Sequence, residues 1–338
     1  MTDTDVSDQV LQPLASVIVL TYNRPKQLAR CLRSLSAQQF HGQFEIVVAD
    51  DGSASDTARV ITGAQADDSR IRHVRDEHHG IPATRNLGVA AARGRYIAIV
   101  ADDYVLAPHY LATAVDYLER RPEAAVVRFN ITPLHNTRGS RISQCYYGAS
   151  ISRRLESEGL TDDDLRSGVA TTTLEAAGAA VFRSEVLANI GPWDERLQRG
   201  EDTEQSARLR AAGYQVHILA AHTVQVDFNR VPIDTLRKCF LTGVWRHRTT
   251  PPPLPIPNER NASVPRRAMR RLRRVSRSWM AADRARRGGS SWRSFAWYLP
   301  WMTLFETAVR AGALWSSLTA PRGLASTSRA ATEAPVRQ

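Results

Sequence analysis

Short apolar runs alternate with amphipathic stretches over roughly the first two thirds of the chain. Four runs are long enough to be buried strands, at 16–20, 44–49, 96–101 and 124–129. Between the first two, apolar residues recur at the spacing of one helix face, as Leu28, Cys31, Leu32 and Leu35. A strand, a helix and a second strand within about 35 residues form a βαβ unit with parallel strands. The alternation predicts an α/β fold built on a central sheet.

The remaining elements continue this pattern. Shorter strands are predicted at 71–74, 178–182 and 214–219. Helices are predicted at 55–65, 83–92, 108–120, a short segment from 184, and 201–212. Gly213 stands where a glycine commonly ends a helix. The stretch 130–175 carries weaker signals, and we expect an irregular region over the sheet there.

Polar residues stand at the ends of several predicted strands. In chain order they are Thr21, Tyr22, Asn23, Asp50, Asp51, Asp102, Asp103 and, just past the last strand, His222. Open α/β sheets bind ligands at the carboxyl ends of their strands. The sequence therefore predicts a ligand site along this edge of the sheet.

Asp102 and Asp103 carry the most specific chemistry of this edge. Two adjacent carboxylates at the tip of a buried strand repel each other, and their desolvation is costly. A divalent cation offsets both effects, and Mg²⁺ and Mn²⁺ prefer oxygen ligands and often arrive with a substrate's phosphates. The alternative interpretation is a solvated turn before the helix that begins near Pro108.

Composition narrows the class of protein. An apolar content of 43% and a charged content of 23% are ordinary for a soluble globular protein. Three widely spaced cysteines form neither a disulfide framework nor a CxxC pair, and the polar N-terminus does not resemble a signal peptide. We therefore expect a cytoplasmic protein. The absence of GxGxxG after the first strand disfavours an oxidoreductase with a Rossmann fold, and the absence of a glycine-rich phosphate loop there disfavours a nucleotidyltransferase.

The C-terminal part of the chain differs in charge from the rest. The net charge is +11, yet the segment from Trp245 onward holds 18 arginines and four acids, so the preceding residues carry a net charge of −3. A proline-rich spacer at 251–257 precedes an arginine-dense segment and an aromatic stretch at 292–318. Charges and Pro300 interrupt that stretch, so we predict an interfacial helix on an anionic membrane face rather than a spanning one. The alternative is a pair of helices packed on the main domain, and nucleic-acid binding is not expected because no known motif accompanies the arginines.

Five segments, in order and spacing, resemble the family 2 glycosyltransferases. They are 17–24, 45–53, 83–88, 96–103 and 200–203. The resemblance implies a GT-A fold, which is a three-layer α/β/α domain with a mostly parallel central sheet, here followed by a C-terminal helical extension. It predicts a polar leader at 1–13, a GT-A domain at 14–245, a linker at 246–265, a helical extension at 266–320 and a disordered tail at 321–338.

The resemblance also implies an activity and the residues that carry it. A sugar moves from a nucleotide-diphosphate sugar to an acceptor hydroxyl with inversion, helped by Mn²⁺ or Mg²⁺. Thr21, Tyr22 and Asn23 would line the nucleotide pocket. Asp51, with Asp50 beside it, would read the base, and Arg85 would lie near the nucleotide.

The metal and catalytic roles follow in the same way. Asp103 would bind the metal, Asp102 would contact the ribose or a metal-bound water, and His222 would be a late third ligand, although a histidine after a strand is more often structural. One outer carboxylate of the family's Asp-x-Asp motif is missing here, which leaves a non-catalytic protein on a degenerate GT-A fold as the alternative. Asp202 would be the catalytic base, or an acid that complements a helix dipole. Trp193 would floor the acceptor site or belong to the core.

Overall fold

The computed structural model describes residues 12–135, 137, 139–144, 169–172, 178–197, 200–227, 232–249 and 292–319. Residues 1–11 of the predicted leader, the spacer at 251–257, the whole arginine-dense segment and the tail at 321–338 lie outside the described residues. The predicted domain boundaries therefore stay predictions.

The described elements follow the predicted order closely. The strands are β1 (Ala15–Thr21), β2 (Phe44–Asp50), β3 (Ile71–Arg75), β4 (Tyr96–Ala101), β5 (Tyr104–Val105), β6 (Ala124–Pro133), β7 (Val169–Thr172), β8 (Ala180–Arg183) and β9 (Gln215–Val226). The helices are α1 (Pro25–Ser36), α2 (Ser55–Asp67), α3 (Ile81–Ala91), α4 (Tyr110–Arg120), α5 (Ser184–Ile190), α6 (Glu201–Ala211), α7 (Pro232–Thr249) and α8 (Trp292–Thr319).

The central sheet is mixed, and the prediction of a mostly parallel sheet was wrong. Among the described strands the order is β3-β2-β1-β4-β8-β6-β9-β5, with β7 paired to β9. The pairs β1/β2, β1/β4, β2/β3 and β6/β9 are parallel, whereas β4/β8, β6/β8, β5/β9 and β7/β9 are antiparallel. β8 lies antiparallel to both of its neighbours, β4 and β6, and therefore interrupts the run of parallel strands.

The sheet separates two apolar layers, which confirms the three-layer α/β/α architecture. Alternate residues of each strand face opposite sides of a sheet. Val17 and Val19 join the layer that contains α1, α2 and α4, whereas Ile18 joins the layer that contains α5 and part of α6. Cys31 is fully buried on α1, as its place on the apolar face predicted. The parallel half of the sheet therefore has a helix layer on each face and exposes its functional residues only at its ends.

Gly88 allows α3 to lie directly on the sheet. A Cβ atom at this position would come within 2.3 Å of the Ile18 side chain on β1. Any larger residue would therefore push the helix outwards or force Ile18 to repack. This close approach fixes α3, and with it the loop before α3 and Arg85, against the carboxyl edge of the sheet.

β9 is longer than the sequence pattern predicted. The predicted strand ended at Leu219, but β9 continues to Val226 after a break in its pairing with β6. Phe129 pairs with Leu219 and the next β6 residue, Asn130, pairs with Thr223. His222 therefore lies in a bulge inside β9, and the prediction that it follows the strand's end was wrong. Within the region predicted to be irregular, β6 continues to Pro133 and β7 forms, while 145–168 lies outside the described residues.

Helices α7 and α8 pack against each other with their backbones in contact. A Cβ atom on Gly243 would lie 1.9 Å from the Val309 carbonyl oxygen, and one on Gly312 would lie 2.0 Å from the Phe240 carbonyl oxygen. The far side of α8 leaves four large apolar side chains exposed, namely Leu304, Leu314, Trp315 and Leu318. None of the helices in the described residues is both long enough and apolar enough to cross a membrane.

Candidate active site

Three neighbouring strands bring the predicted site residues to one edge of the sheet. Thr21 pairs with Asp50 at the ends of β1 and β2. The Asp51 N–H donates to the Thr21 carbonyl at 3.0 Å, and the Asp102 N–H donates to the Leu20 carbonyl at 3.0 Å. The two acidic pairs therefore flank the end of β1, as the strand order of a parallel sheet predicts.

Asp102 and Asp103 form the acidic centre of this edge. Asp102 is buried, and its Oδ2 accepts a 2.9 Å hydrogen bond from the Thr21 hydroxyl. Arg24 Nη1 lies 3.1 Å from Asp102 Oδ1 and 3.5 Å from Asp103 Oδ2. Burial raises the pKa of Asp102 to about 6, although Arg24 and the Thr21 bond oppose this effect. Burial also raises the pKa of Asp103, against the opposing charges of Arg24 and of Lys238 on α7.

Arg24 is a site residue that the sequence analysis missed. Burial alone would lower its pKa, but the two carboxylates outweigh that effect and raise it. The sequence did contain a signal for it, because Arg24 lies in the loop after β1 and the end of β1 is flanked by the predicted acidic pair. A buried carboxylate needs a counter-charge or a hydrogen bond, so a cation one loop away is a natural partner.

Asp50 and Asp51 have different roles despite being adjacent. Asp50 is fully buried, where its Oδ1 accepts the Ser53 N–H at 2.8 Å and its Oδ2 lies 3.3 Å from His73 Nε2. These contacts make Asp50 part of the turn after β2. Asp51 instead faces the loop before α3 and accepts the N–H groups of His79 at 2.9 Å and Gly80 at 3.1 Å.

Tyr22 and His78 form a stacked pair beside Asp51. Their ring centroids lie 4.0 Å apart and their planes differ by 13°. His78 Nδ1 also lies 2.7 Å from Asp51 Oδ2. The sequence analysis placed His78 only in a loop. The signal for its role was that this loop follows β3, the strand next to β2, and therefore returns to the same edge of the sheet.

Asn23 shapes the turn between these two parts of the site. Its φ of 53° lies in the left-handed region, which asparagine tolerates better than most residues. Its side-chain oxygen accepts the Ala54 N–H at 2.7 Å, and its own N–H donates to the Ser53 hydroxyl at 2.9 Å. Asn23 thereby ties the loop after β1 to the loop after β2.

Arg85 and Asp202 meet although they are 117 residues apart in the chain. Arg85 Nη1 lies 2.5 Å from Asp202 Oδ1 and 3.4 Å from Glu201 Oε1. Arg85 is buried, whereas the Asp202 side chain is 29% exposed and lies in the first turn of α6. Asp202 therefore remains accessible to a ligand while its carboxylate is oriented by a buried cation.

Trp193 is part of the core beneath this ion pair. It is 2% exposed and packs edge-on against Phe182 at a centroid distance of 6.3 Å. The Arg85 guanidinium lies 5.6 Å from the Trp193 ring. Of the two interpretations given above, the described contacts favour the core aromatic.

The described contacts of His222 do not include the acidic pair. His222 is exposed, and its ring lies edge-on to Phe129 at a centroid distance of 6.1 Å. Asp227, whose N–H donates to the Asp103 carbonyl at 2.9 Å, follows five residues later in the chain. Within the described residues, no group of three or more His, Cys, Asp or Glu side chains could hold a metal ion. The role of His222 as a metal ligand stays a prediction.

Comparison with known proteins agrees with this geometry. The family model "Glycosyl transferase family 2" matches residues 16–191, which is more than half of the chain. The chain is 28% identical over 118 residues to the glycosyltransferase GlyG of Streptococcus pneumoniae, and the match covers 35% of this chain and 39% of GlyG. It is 25% identical over 234 residues to the glycosyltransferase AglE of Haloferax volcanii, which covers 68% of this chain and 72% of AglE.

A solved structure resembles almost the whole chain. The mannosyltransferase PcManGT from Pyrobaculum calidifontis, solved in complex with GDP-Man and Mn²⁺, superposes with a TM-score of 0.60 at 18% identity. The superposition covers 92% of this chain and 88% of PcManGT, which identifies the GT-A fold. With the family model matched from the first strand to the turn after α5, the chain belongs to the family 2 glycosyltransferases.

Proposed function

We propose that this protein is a metal-dependent glycosyltransferase that moves a sugar from a nucleotide-diphosphate sugar to an acceptor hydroxyl with inversion. The observation that carries the proposal is the grouping of three chemistries along one sheet edge. Tyr22 and Asp51 offer a stacking face and a hydrogen-bond acceptor for a base. The acidic pair at the end of β4 lies beside them, and Asp202 offers an accessible carboxylate.

The acidic pair fits a hard divalent cation. Asp102 and Asp103 offer carboxylate oxygens, which are the ligands that Mn²⁺ and Mg²⁺ prefer. Arg24 already contacts both carboxylates and the charge of Lys238 acts on Asp103, so a divalent ion would share or replace the charge balance that these cations supply. A bound ion would supply neutralisation of the negative charge that develops on the leaving diphosphate. Arg24 would hold the two carboxylates in place, and Thr21 would orient Asp102.

Asp202 is the proposed general base. In an inverting transfer, the acceptor oxygen forms a bond to the anomeric carbon while the bond from that carbon to the diphosphate oxygen breaks. The proton of the acceptor hydroxyl passes to the Asp202 carboxylate. Arg85 holds Oδ1 of that carboxylate, which fixes the direction in which the group faces.

The C-terminal helix is the proposed attachment to an anionic face of the cell membrane. Leu314, Trp315 and Leu318 expose apolar surface at one end of α8. The preceding segment 265–287 contains ten arginines and one acid. An exposed apolar helix face in a chain that also carries an arginine-rich stretch of sequence is the combination that favours binding to anionic lipid surfaces. The packing of α8 on α7 is compatible with this role because it leaves that face uncovered.

Donor turnover separates this proposal from the non-catalytic alternative. The full chain is incubated with Mn²⁺ and each of UDP-, GDP- and dTDP-linked hexoses, and slow donor hydrolysis is measured by release of the free nucleotide. Thermal stabilisation of the protein by the same nucleotides is measured in parallel. Hydrolysis of one donor supports the enzyme. Stabilisation by a nucleotide without hydrolysis or transfer to any acceptor hydroxyl would favour a non-catalytic sugar-nucleotide-binding protein.

A further inference from the structure

His78 contacts both residues that the proposed function assigns to the donor's base. Its imidazole stacks on Tyr22 with a centroid separation of 4.0 Å, and its Nδ1 lies 2.7 Å from Asp51 Oδ2. A planar ring that stacks on an aromatic face and presents a ring nitrogen to a carboxylate is chemically equivalent to a bound nucleobase. The side chain of His78 therefore makes with its own chain the two contacts that the base would make.

The spacing of the two rings leaves no place for a base between them. A second ring stacked between Tyr22 and His78 would need roughly twice the present centroid separation. The Asp51 oxygen that faces His78 is likewise engaged. A nucleotide can therefore use Tyr22 and Asp51 only after the imidazole has moved away.

The His78 side chain can leave without disturbing the loop that carries it. The side chain is 55% exposed. The loop backbone has hydrogen bonds of its own, because the N–H groups of His79 and Gly80 donate to Asp51 Oδ1 at 2.9 and 3.1 Å, and the Gly80 N–H also lies 3.2 Å from Oδ2. Rotation of one half-exposed side chain is therefore sufficient to open both contact points.

We propose that the His78 imidazole is a displaceable placeholder for the donor's nucleobase, stacked on Tyr22 and bonded to Asp51 until a nucleotide replaces it. This inference rests on the proposed function, since it takes these residues as the base pocket. Only molecules with His78 turned away bind the base, so the apparent dissociation constant is the intrinsic constant divided by that fraction. His78 thus weakens the apparent affinity for ligands that carry a base, and it leaves the affinity for ligands without a base unchanged.

The test compares nucleotide binding by the wild-type chain and by His78→Ala. Dissociation constants are measured calorimetrically for UDP, GDP and dTDP with Mn²⁺, and for pyrophosphate with Mn²⁺ as the ligand without a base. If the placeholder covers the pocket in about four fifths of the molecules, its removal tightens nucleotide binding by about fivefold. Pyrophosphate binding should change by less than about twofold. His41→Ala is the matched control, because His41 is an exposed histidine that precedes β2 at the opposite end of the sheet.

The possible outcomes separate the placeholder from the proposed function. Tighter nucleotide binding by His78→Ala, with pyrophosphate and His41→Ala unchanged, supports the placeholder. Unchanged or weaker nucleotide binding overturns it, and weaker binding would identify His78 as a wall of the base pocket. An equal gain for pyrophosphate also overturns it, since the effect would then be one of charge. If neither chain binds any of the three nucleotides, the proposed function fails and the placeholder with it.

Discussion

Glu45 should be one of the largest single contributors to stability in the catalytic half of the chain. Its buried carboxylate accepts hydrogen bonds from the Ser16 hydroxyl at 2.7 Å, from Arg72 at 2.7 Å, and from the Arg93 backbone and guanidinium at 2.8 Å each. These bonds join β1, β2 and β3 to the end of α3, at the edge of the sheet opposite the site. Glu45→Gln keeps the shape of the side chain but removes its charge.

The expected loss can be worked out from the carboxyl's pKa. Burial alone would raise this pKa, but the bonds from Arg93, Ser16 and Arg72 outweigh burial and lower it from 4.5 to about 2. A difference of about 2.5 units corresponds to about 3 kcal/mol of folding free energy. Because the folded pKa is the lower one, this stabilisation is fully present above about pH 4.5. It is lost as the pH falls towards 2 and the folded carboxylate takes up its proton.

Urea denaturation followed by tryptophan fluorescence at pH 7, 5.5, 4 and 3 measures this contribution. The free energy of unfolding of Glu45→Gln should be about 2–3 kcal/mol below that of the wild type at pH 7, with the gap narrowing below about pH 4. Glu123→Gln is the control, because Glu123 is exposed and lies 3.6 Å from the half-exposed Arg121. Its effect should stay within about 0.5 kcal/mol. A Glu45→Gln gap that is equally small at pH 7, or that does not change with pH, would refute the reasoning.

Four further predictions concern the site, the packing of α3 and the C-terminal helix. Asp103→Ala should abolish detectable sugar transfer and weaken nucleotide binding, and excess EDTA should have the same effects on the wild type. Full activity in excess EDTA would contradict the proposed dependence on a divalent metal ion. Asp202→Asn should lower kcat by about 10²–10⁴-fold with little change in donor Kd, and retention of more than about a tenth of kcat would exclude it as the base. Gly88→Ala should cost about 1–3 kcal/mol of unfolding free energy in urea, because its Cβ would meet Ile18. Replacing Trp315 and Leu318 together by serine should reduce cosedimentation with phosphatidylglycerol vesicles, and equal binding by both chains would favour a packed helix with no membrane role.

The residues at the strand ends could be predicted because local patterns determine them. The apolar runs end at Leu20, Ala49 and Ala101, so the polar residues that follow them were expected at one edge of a parallel sheet. The same reasoning placed Asp202 in the first turn of α6 and Cys31 on a buried face.

The mixed sheet and the course of β9 could not be read from local patterns. The direction of β8 depends on how the chain returns from 130–175, a stretch without clear periodicity. In β9, the pairing with β6 breaks after Leu219 and resumes at Thr223, and sequence alternation does not report a bulge of this kind. Because the predicted strand ended at Leu219, the prediction placed His222 after the strand, whereas it lies inside β9.

The contacts among distant side chains were also beyond the sequence pattern. The approach of Arg85 to Asp202 depends on the rotamers of two side chains brought together by the packing of α3 and α6 over the sheet. The stacking of Tyr22 on His78 requires that the loops after β1 and β3 reach across the intervening β2. Sequence patterns give the edge at which such residues lie, but not their partners.

The glycine contact between α7 and α8 fixes the position of one helix relative to the other. Gly243 and Gly312 leave no side-chain layer between the two backbones, so neither helix can slide or roll on the other without a steric clash. Lys238, whose charge acts on Asp103, lies about 7.5 Å along α7 from Gly243, and Trp315 lies about 4.5 Å along α8 from Gly312. The apolar end of α8 and the end of α7 that carries Lys238 therefore keep a fixed separation. A lipid surface that held Trp315 would also set the height above the bilayer at which an acceptor hydroxyl must be presented.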